Sequence, residues 1–221
     1  MKRTPTIALL TVTFIVVACT GCGTIRTSPN TQVGGAGLQP LKDTHYAKVV
    51  AQPGFTVTPV DVAVVRAPSV QGVLPQKDIV PEQMAILYRN ELVDALNKSK
   101  AFTAVLKDDN AADKQPMTGG KQHLYFDTSF AELDPGNRAL RYMVGYGAGR
   151  TKVEVITKVS DSQGNLLLHA ADRFVAAYGI FGGSSKSFVV SALTKTAQDQ
   201  GKTFERLAKK KKKAISNAGI R

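Results

Sequence analysis

Apolar residues recur along this chain in three rhythms, and each predicts a different element. From Ile7 to Ala18 they run almost unbroken behind a basic start, Lys2 and Arg3. That run is 12 residues, shorter than the roughly 20 a membrane-spanning helix needs. It has the make-up of an export signal core. From Phe55 to Arg66 apolar positions alternate, and Val60, Val62 and Val64 on one face predict a strand. Between Pro81 and Lys98 the period becomes helical. Met84, Leu87, Tyr88, Leu92, Val93 and Leu96 form one stripe, Pro81 stands where a helix can start, and Glu82 and Gln83 fill the first turn.

The strand rhythm then returns. Phe102 to Leu106 is a short apolar run, and Leu124, Phe126 and Phe130 alternate with polar or small residues. Arg141 to Ser160 is the longest extended candidate. Val153, Val155, Thr157 and Val159 point one way, and Lys152, Glu154, Lys158 and Ser160 the other. Asp161 to Asn165, with Gly164, turns the chain into a partner strand from Leu166 to about Tyr178. Asp108 to Gly120 is polar, holds Pro116, Gly119 and Gly120, and reads as a loop. After Gly182 and Gly183, one of Ser184, Ser185 and Ser187 can cap a last helix. Its buried stripe is Leu193, Ala197, Phe204, Leu207 and Ala208, interrupted by Gly201. The order helix, strands, helix predicts an α+β fold, an antiparallel or mixed sheet with helices packed mainly on one face.

The cysteines say where this domain works. There are two, Cys19 and Cys22, both just after the signal core. Val16, Val17, Ala18 and Cys19 form a lipobox, the site at which bacteria attach a diacylglycerol to a cysteine thiol. Cys22 is the alternative acceptor, although Cys19 then occupies a position that normally holds a branched aliphatic residue. A redox pair would need a strand-to-helix turn, and a zinc site two further ligands. Neither is in view. Residues 1–18 therefore read as a signal peptide. Residues 19–44 read as the lipidated N-terminus and a flexible tether, since Gly23 to Lys42 is rich in Gly, Ser, Thr, Asn and Gln without an apolar period. Residues 45–221 read as one domain. Thr20 after Cys19 is not the aspartate that retains many lipoproteins in the inner membrane, so the expected location is the outer membrane, facing the periplasm.

Charge and composition narrow the partners. Lys and Arg outnumber Asp and Glu by 29 to 17, a formal +12, and 43% of residues are hydrophobic against 21% charged. That balance is an ordinary globular domain rather than a disordered one. In an exported protein the basic excess points to anionic lipid or envelope polyanions and away from nucleic acid. Lys209 to Lys213, an unbroken run, is the candidate contact with an anionic surface. Its plain alternative is a solvated last helical turn favoured by the helix dipole.

Candidate chemistry is sparse. Gly145, Gly147 and Gly149 lie on one face of the predicted strand, and such a stripe admits close approach of another backbone or a partner. A dinucleotide fingerprint would need other spacing and a following helix. Gly119, Gly120 and Lys121 hint at a phosphate loop, but Gln115 and Gln122 stand where it needs Gly and Ser or Thr. His45, His123 and His169 show no metal-ligand spacing, although His123 and His169 could meet across strands. The serines near Gly183 lack a positioned base. Asp127, Glu132, Asp134 and Glu154 read as solvated or charge-balanced strand positions. No catalytic residue, metal or cofactor is expected.

Three stretches resemble a family of bacterial lipoproteins defined only as a domain of unknown function. They are RALRYMVGYGAGRTKVEVI from Arg138 to Ile156, DSQGNLL from Asp161 to Leu167, and Phe181 to Gly183. The resemblance covers most of the mature chain and implies no enzymatic activity. More distantly, the strand–helix–strand order is similar to envelope lipoproteins that activate cell-wall synthases or assemble secretion channels. The expectation is a lipid-anchored envelope protein acting as a binding or assembly factor through a protein partner, with a homo-oligomer as a candidate state. The rivals are a cell-wall or lipid-modifying enzyme and a structural subunit of an oligomeric envelope complex.

Overall fold

A computed structural model describes residues 23–42, 44–58, 60–76, 79–108, 122–137, 149–177 and 184–218. Among the described residues eight strands form one open sheet: β1 (Gly23–Thr27), β2 (Gln39–Pro40), β3 (Lys48–Ala51), β4 (Val62–Arg66), β5 (Ala104–Asp108), β6 (His123–Asp134), β7 (Lys152–Ser160) and β8 (Leu166–Ala177). The order is β2-β3-β8-β7-β6-β4-β5, with β1 also paired to β8. β4 runs parallel to β5 and β6, and every other pairing is antiparallel. The helices of the described residues, α1 (Pro81–Ser99) and α2 (Ser185–Ala218), pack together against one face. The expected α+β fold with a mixed sheet is the observed one.

Local chemistry accounts for these elements. α1 starts with Pro81 in its first turn and stops at Lys100, whose φ of 52° is left-handed. Ser99 Oγ donates to the Leu96 carbonyl and accepts from Ala101 N–H, so the last turn is closed by its own side chain. In the β7–β8 hairpin Asp161 Oδ1 accepts the N–H groups of Gln163 and Asn165 at 2.9 and 2.8 Å, and Gly164 supplies a φ of 86°. Val153, Val155, Thr157 and Val159 do face the helices, with Leu124, Phe126 and Phe130 from β6.

Two expectations need correction. The Phe55–Arg66 strand is only Val62–Arg66, and both of its faces are buried. Val62 and Val64 pack with Tyr125 on the helix-free face, Ala63 and Val65 enter the main core, and Val60 is 53% exposed. Gly201 is the break in the α2 stripe, as expected, but it leaves no gap in the packing. A Cβ there would lie 2.6 Å from the Ala95 carbonyl oxygen, so the missing side chain lets α1 and α2 cross closely.

The second correction concerns the tether. Residues 23–42 belong to the folded body. β1 pairs with β8 over Gly23↔Ala177 to Thr27↔Arg173, and β2 pairs with β3. Between them residues 28–38 form a strap over the helix-free face, with Val33 buried. Asn30 and Thr31 N–H donate to the Glu154 carboxylate at 3.0 and 2.8 Å, and Gly34 meets His169. Backbone pairing rather than apolar side chains holds this segment, so it has no hydrophobic period to read. The extended candidate at Arg141 to Ser160 is a strand only from Lys152; residues 138–148, like the 109–121 loop, lie outside the described residues.

Candidate binding face

The helices close one face of the sheet, and the other carries the strap, the small apolar cluster of Val62, Val64 and Tyr125, and a set of charged side chains. Alternation along β4, β6, β7 and β8 places Arg66, Asp127, Glu132, Glu154 and Arg173 there. They are paired into a ladder. Arg66 Nη1 donates to Asp127 at 3.0 Å, Nε lies 3.8 Å from Asp108, and the guanidinium sits 4.5 Å over the Tyr125 ring. Arg173 donates twice to Glu132, both at 3.1 Å, and lies 3.4 Å from Glu154. Lys152 approaches Glu132 at 3.5 Å and Asp134 at 3.9 Å. The more open pairs, those of Lys152 with Glu132 and Asp134, contribute at most about 1 kcal/mol each. Their effect is to fix charged groups of both signs on a rigid surface.

Glu154 differs from the rest of the ladder. It is 1% exposed, covered by the strap and balanced by Arg173, not by Lys152 or Lys158. His169 is also buried under the strap, its Nδ1 2.8 Å from the Gly34 carbonyl oxygen. His123 is stacked edge-on to Tyr125. The register places His123 and His169 two strands and four positions apart, so they do not meet. Ser184 Oγ accepts the Ser187 N–H at 3.5 Å at the start of α2, and Ser185 Oγ donates to the Pro135 carbonyl. Among the described residues no cluster of His, Cys, Asp and Glu could hold a metal ion, and no helix is long and apolar enough to cross a membrane.

At one end of this face the β6–β7 connection leaves the sheet through a narrow neck. Gly136 and Gly149 have φ of 71° and 64°. A Cβ on Gly149 would lie 2.2 Å from the Asn137 carbonyl oxygen, so the two chains touch backbone to backbone. Thr151 and Ser185 hydroxyls both donate to Pro135 O, at 2.7 and 2.8 Å. A shallow polar depression of about 510 Å³ opens beside the neck, lined by Gln76, Asp134, Asn137, Arg150 and Lys152 among others. Gly145 and Gly147 lie outside the described residues, as do Cys19 and Cys22.

A second polar cluster, on the helix side, joins β1, β3 and β8 to α2. Arg26 Nη2 donates to Asp199 at 2.5 Å, and Arg26 Nε lies 3.2 Å from Asp172 Oδ1, which also accepts Ala47 N–H at 2.7 Å. Lys195 and Lys202 reach the same Asp199 at 3.4 and 3.6 Å. Burial pushes the Asp172 carboxyl up to about 6, against the opposing pull of Arg26 and the Ala47 N–H. Burial, then Arg206, lowers the pKa of the neighbouring His45. Deeper in, Gln200 Nε2 donates to Tyr88 Oη at 2.7 Å and Thr157 Oγ1 at 2.8 Å. Burial holds the Tyr88 and Tyr46 hydroxyls protonated, raising both well above the ordinary phenol range. No motif flagged this cluster. The one available signal was parity: Asp172 shares its strand face with Ala170 and Phe174, both fully buried.

Lys209 is 72% exposed and pairs with Glu205 one turn back; Lys210 is exposed and Lys211 half-buried. The helix backbone continues through Lys212 and Lys213, whose side chains lie outside the described residues.

Among curated proteins, none matches this sequence. Two solved structures with a similar arrangement are the PelC dodecamer from Paraburkholderia phytofirmans and a point variant of it. The dodecamer shares 14% identity with a TM-score of 0.42, and the variant 16% with a TM-score of 0.41. Each alignment covers 69% of this chain and 95% of the other. A family model described as a domain of unknown function, DUF4410, matches residues 50–212, and with most of its length inside that match the chain belongs to this family.

Proposed function

We propose that this is a lipid-anchored bacterial envelope protein that acts by binding or assembly rather than by catalysis. The observation that carries the reading is the helix-free face. Beside the strap it carries fixed charges of both signs, Arg66, Asp127, Glu132, Lys152 and Lys158, which suits recognition of a complementary protein surface. Acylation of Cys19, or of Cys22 in its place, sets the β1 end of the sheet close to a membrane, because β1 begins at Gly23. The membrane is the outer one, viewed from the periplasm.

The anchor and the face are tested separately. Labelled palmitate should enter the wild type and Cys22→Ser but not Cys19→Ser; entry into Cys19→Ser alone moves the anchor to Cys22, and entry into none removes the anchor. For the face, a photo-crosslinker at Ser129 or Lys158, both on the helix-free side, should capture one partner in cells, and Arg66→Glu should abolish that capture. A crosslink pattern unchanged by Arg66→Glu would refute the binding-face reading.

A further inference from the structure

Half of the formal positive excess is concentrated in one part of α2. Residues 195–213 carry eight basic and two acidic side chains, net +6 of the total +12. Lys195, Lys202, Arg206 and Lys209 stand at i, i+7, i+11 and i+14. That spacing gives one stripe roughly 21 Å long at 1.5 Å per residue. All four are exposed, on the side of the helix away from buried Leu193, Ala197, Phe204 and Leu207.

The stripe begins beside β1. Asp199, which holds Lys195 and Lys202, also holds Arg26 of β1. Gly23 lies three residues from Arg26, about 10 Å along the strand. Cys22 and Cys19 come one and four residues earlier. Consecutive Cα atoms are 3.8 Å apart, so an acyl chain on either leaves the protein within roughly 15 Å of Gly23. α2 then runs away from that point. Charges couple to a lipid surface only within a Debye length, about 8 Å at physiological salt. Lys209 can therefore reach the leaflet that holds the anchor only if the helix lies along it.

We propose that the stripe Lys195–Lys202–Arg206–Lys209 rests on an anionic lipid leaflet, so that the anchored domain lies on its side. This orientation rests on the acyl-anchor reading above. The anchor supplies the leaflet at high effective concentration, so each basic residue needs to add only a small increment. Lys210 and the helix beyond it extend the contact outward from the anchor.

The test is lysine acetylation of the full-length lipidated protein, read residue by residue by mass spectrometry. It compares vesicles of phosphatidylcholine alone with vesicles that also contain phosphatidylglycerol. Lys195, Lys202 and Lys209 should react several-fold more slowly on the anionic vesicles and recover in high salt, while exposed Lys98 and Lys158 keep their rates. Equal rates on both vesicles would overturn the proposal. Slowing by added inorganic polyphosphate on neutral vesicles, with none from phosphatidylglycerol, would also overturn it and assign the stripe to a soluble polyanion. The full-length Cys19→Ser/Cys22→Ser protein separates this result from the anchor. It should still partition onto anionic vesicles at low salt, by about fivefold for each stripe residue engaged. Wild type that fails to float with neutral vesicles in high salt sinks the anchor reading without touching that measurement.

Discussion

Replacing Asp172 with asparagine should stabilise the protein at neutral pH, although the aspartate is half of an ion pair with Arg26. Asp172 is 1% exposed, and its carboxyl is pushed from an ordinary 3.8 up to about 6. Burial sets that direction; Arg26 at 3.2 Å and the Ala47 N–H only soften it. In the unfolded chain the proton leaves near the ordinary value, and in the folded protein it leaves only near the raised one. Between the two, the native state holds a proton that the unfolded state has lost. Stability therefore falls as pH rises through this window and stays lower above it. A displacement of about two pKa units at 1.36 kcal/mol each corresponds to about 3 kcal/mol of cost at pH 7.5. Asparagine cannot ionise, can keep the Ala47 N–H bond, and leaves Arg26 with Asp199. Urea unfolding of both proteins from about pH 4 to 8 reads the difference. The two should agree within about 1 kcal/mol at the acid end, and Asp172→Asn should be the more stable by about 1–3 kcal/mol at the neutral end. A variant that is less stable at neutral pH, or whose stability tracks the wild type at every pH, would show that the Arg26 pair outweighs desolvation.

Glu154→Ala should free the strap without melting the sheet: its two charged hydrogen bonds are worth about 1.5–3 kcal/mol each at most, and Arg173 keeps Glu132. Amide exchange at Asn30 and Thr31 should rise by about tenfold or more while Leu92 and Leu193 stay protected, and unchanged exchange at both amides would dismiss the strap. Gly149→Val should cost about 1–3 kcal/mol or more in thermal or urea unfolding, from a left-handed backbone and an Asn137 carbonyl oxygen 2.2 Å from the new Cβ. Gly34→Ala, with nothing within 4 Å, is the control that should leave stability unchanged.

What could be read from the sequence follows from how each element is held. α1 announces itself because its start, apolar stripe and last turn agree: Pro81, then Met84 to Leu96, then Lys98. The β7–β8 hairpin is equally legible, since Asp161 and Gly164 are turn residues between two long apolar alternations. β1 and the strap are not legible. They are short, polar and held by main-chain hydrogen bonds to partners far away in the chain, which leaves no local period. Gly201 is legible as a break in the stripe but not as a crossing point: a glycine inside a helix costs stability wherever nothing approaches it, and here Ala95 does. The charged ladder was visible as Lys, Glu and Asp on alternating positions, but Arg66 and Arg173, which organise it, carried no signal of their own. Asp172 and Arg26 were hidden by the ordinary expectation that a charge on a strand faces water.

The pairing of β1 and β3 with β8 has a consequence for the order in which the molecule can form. A chain made from its N-terminus can assemble β4, α1 and β5 early, because they are consecutive and touch one another. The first strand has no partner until Leu166–Ala177 has been made, about 150 residues later. Closing so long a loop is slow, and until it closes β1 is unpaired and β3, paired only with β2, keeps an open edge that can join with other chains. β1 is thus synthesised long before its partner and sealed only once β8 is in place. A chain cut short before β8 loses more than its C-terminal part: it leaves β1 exposed, in a form open to proteolysis and aggregation.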